Sequence, residues 1–290
     1  MDTKRFLISE GSKVELKNHP TDFTGDYTDK AGAKKDLEKN VSRLRELQDV
    51  LYAEDKQSLL IVFQAMDAAG KDGAIEHVMS GINPQGVSVF AFKQPSDEEL
   101  SHDFLWRCAK NAPERGRIGI FNRSHYEEVL VVRVHPQILQ SQHLPDSVKS
   151  DTDIWKKRFE QIRNFESGLV ANGTQILKFF LNVSKNEQKD RFLSRIEEKE
   201  KNWKFSKNDV KERGHWDDYM KAYADAIQST STSAAPWYII PADKKWFTRL
   251  AVSEVIKQKL ESMGMRYPVV TEEHKAELIE AKKMLESEVG

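Results

Sequence analysis

The chain of 290 residues has a single cysteine, Cys108, within Trp106-Arg-Cys-Ala-Lys110. One thiol can neither close an intramolecular disulfide nor build a cysteine metal cluster, so a buried structural role is expected for it. Long apolar runs are missing as well: no stretch approaches the ~20 residues of a membrane span, and Met1-Asp-Thr-Lys-Arg-Phe6 lacks an apolar signal core. A membrane is therefore not an expected partner, and a cytoplasmic location is. Charge of one sign is absent too. With 45 Lys and Arg against 46 Asp and Glu the formal net charge is -1, which is not the basic excess of a protein that coats nucleic acid. Any polyanion site must be a local patch. Repeats, low-complexity segments and interdomain linkers are also lacking, and 39% hydrophobic residues suffice for one sizeable core. The expectation is one domain over residues 1–290.

The most informative stretch runs from Leu59 to Gly73. Leu59 to Phe63 is a short apolar, β-branched and aromatic run without helical periodicity, which predicts a buried parallel strand. Ala65-x-x-x-x-Gly70-Lys71 then keeps Walker A spacing, in which backbone N–H groups and a helix N-terminus surround phosphate oxygens while the lysine neutralises charge. Two positions depart from that pattern. Ala65 replaces the usual first glycine, and Asp72 replaces the Ser/Thr that normally ligates Mg²⁺. A carboxylate beside phosphates is favourable only if it faces a metal, a basic partner or the helix start, so Asp67 and Asp72 read as metal or nucleophile handlers. The plain alternative, a strand, a small-residue turn and a helix with an aspartate cap, stays open on this segment alone.

Along the rest of the chain, residues 1–33 read as an irregular arm without chemistry. Leu37, Val41, Leu44, Leu47, Val50 and Leu51 recur at helical spacing and predict an amphipathic helix from Lys34 to Tyr52. Val87 to Phe92 predicts a strand, and Ser96-Asp-Glu-Glu99 a capping box opening a helix to about Asn111 that carries His102, Arg107 and Lys110. Arg117 to Asn122 predicts a strand ending in the polar cluster Asn122-Arg-Ser-His-Tyr-Glu127, the position of a Walker B element. A helix from Asp151 to Leu169, a strand from Gln175 to Leu181 and a second capping box at Ser184-Lys-Asn-Glu187 follow. The segment from Lys185 to Arg213 is dense in charge and thin in apolar anchors, either a lid delivering Arg191 or an ion-paired surface helix. Pro236 to Ile240 is the last predicted strand, before helices at Trp246–Met263 and Glu272–Glu286. Five strands alternating with helices predict an α/β three-layer fold around a parallel sheet.

Phosphoryl transfer needs cations around the transferred group, a metal bridge and alignment of the attacking and leaving oxygens. Lys71 can hold the transferring phosphoryl, Asp67 can bind Mg²⁺ or deprotonate an acceptor phosphate, and Arg123 and Arg191 can offset equatorial charge. Asn122 stands where a Walker B carboxylate is expected, coordinating directly or through water. A strand-end turn for Asn122 and a surface ion pair for Arg123 remain alternatives, and Arg107, Arg133 and Glu127 are weaker candidates. Lys244 and Lys245 follow the last strand, where many P-loop kinases hold adenine; a cation pair there suits a chain of phosphates, or simply starts a helix.

Gln64-Ala-Met-Asp-Ala-Ala-Gly-Lys-Asp-Gly73, together with Asn122-Arg-Ser-His-Tyr-Glu127, resembles the polyphosphate kinase 2 family over most of the chain, from about Lys34 to the helix after Trp246. The resemblance implies a P-loop, thymidylate-kinase-like fold with a five-stranded parallel sheet and a helical lid at about 184–213. It also implies Mg²⁺-dependent, often reversible transfer of the terminal phosphoryl of inorganic polyphosphate to purine nucleotides, with Mn²⁺ as a substitute metal. By similarity Asp67, Lys71 and Arg123 fall on the loop and Walker B positions, and Arg191 and Arg195 on lid arginines. The subgroup with Asn-Arg-Ser-His-Tyr-Glu accepts nucleoside mono- and diphosphates, so AMP to ADP to ATP is expected. The departure at Asn122 puts in doubt a metal geometry taken from relatives with aspartate there.

Reading and resemblance together give the expected site. Asp67, Lys71, Arg123 and Arg191 are catalytic. Ala68, Ala69, Gly70, Asp72, Gly73, Lys93, Arg195, Lys244 and Lys245 bind phosphate. Arg107, Asn122, Tyr126, Glu127 and Arg133 bind nucleotide, and Asp67 and Asn122 bind metal. A dimer or tetramer is expected, with no nucleic-acid partner. An ATP-driven nucleoside monophosphate kinase and a non-catalytic polyanion-binding module are the other readings; donor identity separates the first and any turnover excludes the second.

Overall fold

The computed structural model describes residues 1–288. Six strands form one sheet in the order β1-β6-β5-β2-β4-β3, comprising β1 Leu7–Ile8, β2 Ser58–Gln64, β3 Val87–Ala91, β4 Ile118–Asn122, β5 Thr174–Asn182 and β6 Trp237–Pro241. All neighbours are parallel except β1, which runs antiparallel to β6 with Leu7 opposite Tyr238. Every residue of β2 is buried, as a strand covered on both faces requires. The helices are α1 Lys30–Glu54, α2 Lys71–Val78, α3 Asp97–Leu100, α4 Trp106–Lys110, α5 Val131–Val134, α6 Pro136–Ser141, α7 Asp146–Lys149, α8 Ile154–Ala171, α9 Lys185–Glu197, α10 Lys207–Glu212, α11 Trp216–Thr230, α12 Lys245–Ser262 and α13 Glu272–Ser287. One layer joins α1 and α2 through α12, the other joins α8 to α11, and β5 contacts both. Among the described residues no helix is long and apolar enough to cross a membrane.

The five predicted strands are present, and three departures have identifiable causes. The sheet has six strands rather than five because the arm is not irregular throughout: Leu7 and Ile8 add β1, and Phe6 packs edge-on against Phe23 and Phe247 at 6.2 Å each. A two-residue strand gives no periodicity to read. The first long helix starts at Lys30 rather than Lys34 because Asp29 caps it, accepting from the Ala31 and Gly32 N–H groups at 2.8 and 3.0 Å. The helix expected from Ser96 to Asn111 is two short ones. Its capping box forms, but the Asp103 carboxylate accepts the Leu105 N–H at 2.9 Å and restarts the chain in a new direction.

Cys108 is fully buried, and burial pushes its thiol up to about 12, in line with a structural role. The arm makes the clearest stability claim. Phe6 is 3% exposed, so Phe6→Ala should lower the unfolding free energy by about 3 kcal/mol or more. Urea titration reads this directly, and an unchanged midpoint would return the arm to a loose covering.

Candidate active site

Chain order places the site. After β2 the chain skips a position to form β3, β4 then fills the gap, and β5 adds on the other side of β2. The carboxyl end of β2 is thus the switch point of the sheet, where connections diverge and leave a crevice. In-register pairing of Phe63 with Asn122 sets the segment after β2 level with the turn after β4.

The loop from Ala65 to Gly70 bends through left-handed backbone at Ala68 (φ 61°) and Gly70 (φ 108°) and enters α2 at Lys71. A Gly permits the second of these freely, whereas Ala68 carries strain. Lys71 Nζ donates to the Ala65 carbonyl at 2.9 Å, closing the loop on itself. The N–H groups of Lys71, Asp72 and Gly73 begin a helix and so have no carbonyl a turn earlier, the arrangement that receives phosphate oxygens. Burial lowers the proton affinity of the Lys71 ammonium while Asp67 opposes the shift.

Arg123 also has left-handed backbone, φ 64°, and its Nη2 donates to Asp67 Oδ1 at 2.8 Å. Its Nη1 lies 3.9 Å from Glu127. Burial raises the Glu127 carboxyl above its ordinary value, with Arg123 and Lys71 pulling the other way. Asn122 Nδ2 donates to Asp72 Oδ1 at 2.6 Å. The usual loop hydroxyl and strand-end carboxylate are thereby exchanged for a loop carboxylate and a strand-end amide, which moves negative charge to the helix start, where the dipole favours it.

Arg191, on α9, takes an unexpected position. Its Nη1 donates to the Ala68 and Ala69 carbonyls at 2.9 and 2.6 Å, its Nη2 to those of Ala242 and Asp243 at 2.6 and 3.2 Å, and its Nε to Glu187 at 2.9 Å. It clamps the phosphate loop to the end of β6. The second capping box is correspondingly only half formed: Ser184 Oγ accepts from the Glu187 N–H, but the Ser184 N–H goes to Asp243.

Two surfaces flank the loop. On one side a cleft of about 960 Å³ is lined by Asp67, Lys93, Arg107, Arg123 and Glu127 among the expected residues, and by Phe104, Arg158, Asp209, Glu212, Tyr219 and Tyr223 besides. On the other side, burial and the neighbouring Arg191 lower the Lys245 ammonium, with Lys201 and Arg249 also in its field. Arg249 lies so close to α2 that a Cβ on Gly73 would sit 3.4 Å from its Nη2.

Several expectations need correction. Tyr126 is fully buried, its hydroxyl bonded to Glu166 and Thr230, and cannot meet a nucleotide. Arg133 points away from the cleft to Asp225, at 2.7 Å. Arg195 pairs with Asp209 at 3.5 Å rather than reaching the loop. Arg107, by contrast, does line the cleft, with its Nη1 donating to the Lys93 carbonyl at 2.9 Å. Lys244, like Lys245, is exposed at the start of α12 and is open to an anion. Arg249, Arg158 and the α11 tyrosines were missed because each stands on a helix far from both motifs, with no local signal to separate it from an ordinary helix surface.

Among the described residues no three His, Cys, Asp or Glu side chains form a metal-binding group. Mg²⁺ commonly takes one or two carboxylates and completes its octahedron with waters and substrate phosphates. Asp67, with the Oδ1 of Asn122 left over once its nitrogen has turned to Asp72, is a donor set that fits such an ion.

The family signature described as Polyphosphate kinase 2 matches residues 27–268. A Rhodopseudomonas palustris protein named ADP-polyphosphate phosphotransferase is 53% identical over 283 residues, 98% of each chain. A Meiothermus ruber protein named AMP/ADP-polyphosphate phosphotransferase is 44% identical over 266 residues, 91% of this chain and 95% of that one. The crystal structure of polyphosphate kinase 2 from Arthrobacter aurescens TC1 superposes with a TM-score of 0.86 at 40% identity, covering 96% of both chains.

Lys71→Met and Asp67→Asn each remove charge at the centre of this geometry without emptying the core. Each should cost ~3 kcal/mol or more of transition-state stabilisation, an effective loss of turnover. Steady-state assays beside circular dichroism test this; a folded variant keeping most of its kcat would exclude that residue from the chemistry.

Proposed function

The chain belongs to the polyphosphate kinase 2 family, and from that premise we propose that one site phosphorylates AMP to ADP and ADP to ATP with inorganic polyphosphate as donor. The protein is a polyphosphate-dependent nucleotide phosphotransferase. The observation that carries the finer reading is the Arg123–Asp67 pair at 2.8 Å beside Lys71, with a cleft on one side of the loop and cations on the other.

The nucleotide occupies the cleft, where Lys93 and Arg107 approach its phosphates and Phe104 and the α11 tyrosines supply apolar and aromatic wall. Polyphosphate runs along Lys245 and Arg249 to the loop, where accumulated point charges hold a polyanion. Lys71 and Arg123 stabilise the equatorial oxygens of the transferring group. Asp67, released from Arg123 as that guanidinium turns to phosphate, accepts the acceptor's proton. Asp67 with Asn122 would hold Mg²⁺, which would supply neutralisation of the charge on the reacting phosphates. The parallel part of the sheet, β3-β4-β2-β5-β6, supports the thymidylate-kinase-like reading. Transfer is reversible in this proposal because the bonds broken and formed are both phosphoanhydrides.

Residues 184–213 form the lid. Its root is α9, held by Arg191 and by Gln188 donating to the Asp67 carbonyl at 2.9 Å, while its tip leaves Trp203 78% exposed. Hydrogen exchange across the tip, from about 198 to 213, should be fast in the empty enzyme and slow with polyphosphate and nucleotide together. Equal protection in both states would make the segment an ion-paired surface helix.

Wild-type protein given AMP, Mg²⁺ and long-chain polyphosphate without ATP should produce ADP and then ATP by chromatography; accumulation of ADP alone would limit the site to monophosphates. Asn122→Asp places a second carboxylate against Asp72, and like charges a few ångströms apart repel by ~1 to 4 kcal/mol. The kcat/KM for ADP relative to AMP should therefore fall by about tenfold, and Glu127→Asn should shift it the opposite way. Ratios unmoved in both variants would show that this cluster does not set acceptor breadth.

A further inference from the structure

The family motif after β4 has two ends on the cleft, Arg123 and Glu127, and three buried residues between them, Ser124 at 0% exposed, His125 at 2% and Tyr126 at 0%, of which Tyr126 alone takes no part in the cleft wall. Beneath them lies a buried ion pair that the chemistry above leaves unused. Lys178, in the middle of β5, donates to Glu166 of α8 at 2.5 Å, to the Thr230 carbonyl at 2.8 Å and to the Tyr126 hydroxyl at 3.1 Å. The Tyr126 hydroxyl reaches Glu166 Oε1 at 2.8 Å and lies 2.9 Å from Thr230 Oγ1. His125 packs its ring against Phe165, centroids 5.3 Å apart, with Nε2 3.4 Å from Glu166. Burial lowers the proton affinity of His125, against the pull of Glu166.

A core ion pair seldom stabilises a fold more than well-packed apolar side chains would, because both charges must leave water. What this one provides is a rigid polar anchor with a free valence for each partner. The motif needs such an anchor. Arg123 sits in strained left-handed backbone at φ 64°, and the residues after it form only a short 3₁₀ turn, His125–Val129. Neither feature fixes direction as a long helix would. The loop end is held by the Arg123 N–H on the Phe63 carbonyl at 3.0 Å and by Gln64 on Ser124 Oγ at 3.2 Å. The far end has the Tyr126 hydroxyl, one residue before Glu127.

We propose that Lys178 and Glu166 are positioning residues for phosphoryl transfer: through the Tyr126 hydroxyl they fix the turn that aims Arg123 and Glu127 at the reacting phosphate. The inference rests on the phosphotransferase reading, and wild-type turnover with polyphosphate tests that reading separately.

Tyr126→Phe is the sharpest test, because Lys178 and Glu166 still hold each other while the link to the turn is cut. An ångström of misplacement in a catalytic group costs on the order of 100-fold, so kcat should fall on the order of 10- to 100-fold, with KM for AMP and the thermal midpoint close to wild type. Both kcat and KM unchanged in folded Tyr126→Phe would overturn the proposal. Should that variant fail to fold, Lys178→Met combined with Glu166→Leu removes both charges together and replaces them with apolar volume. The double variant should fold with wild-type stability yet keep the loss in kcat. A folded double variant with wild-type kcat would show that the pair only fills the core.

Discussion

The Arg123–Asp67 ion pair joins the ends of two parallel strands, and its 2.8 Å length is possible only because β2 and β4 pair with Phe63 opposite Asn122. Each partner stands beside or within left-handed backbone that a non-glycine residue adopts at a cost of about 1–3 kcal/mol: Ala68 follows Asp67, and Arg123 is itself strained. Such strain persists where the surroundings over-determine it. Arg191 takes both the Ala68 and Ala69 carbonyls, and the Phe63 carbonyl takes the Arg123 N–H. The loop is thus pulled from three directions, by α9, by β6 through the same guanidinium, and by β4.

The near-zero net charge of the chain hides how unevenly charge is arranged around this point. Asp67, Asp72 and Glu127 lie within or below the loop and the following turn, while Arg191, Lys245 and Arg249 gather behind it. Two of these carboxylates are hydrogen-bonded, Asp67 to Arg123 and Asp72 to Asn122, and Glu127 lies 3.9 Å from Arg123. The cations behind the loop are only partly neutralised, since Glu187 serves Arg191 and Glu76 lies in the field of Arg249. A polyanion approaching from that side meets charge that the fold has not consumed.

Both motifs, all five parallel strands and the central residues Asp67, Lys71, Asn122 and Arg123 were legible in the sequence, because each depends on local chemistry: apolar runs, a small-residue turn, and a polar cluster at a strand end. What escaped was tertiary in origin. Tyr126 reads as a ligand by its place in a polar motif, yet its ring faces inward against Trp237, centroids 4.8 Å apart. Arg133 and Arg195 find their partners, Asp225 and Asp209, on helices whose placement no local pattern encodes. Arg191 is expected from its lid helix to meet the transferring phosphoryl, but its donors go to Glu187 and four backbone carbonyls, a set of partners that spacing does not encode. Lys178 was passed over altogether, since a lysine within Thr174–Asn182 gives no sign of being buried.

The pairing of β1 with β6 also bears on how the molecule assembles. Leu7 meets Tyr238 and Ile8 meets Trp237, so β1 has no partner until synthesis has passed β6. Contacts so distant in sequence form slowly because a long loop must close before they contribute. Until then the free edge of β6 presents unpaired N–H and C=O groups, a template for association between incomplete chains. The arm therefore acts late, as the closure that ends the sheet once the phosphate loop and its neighbours are already in register.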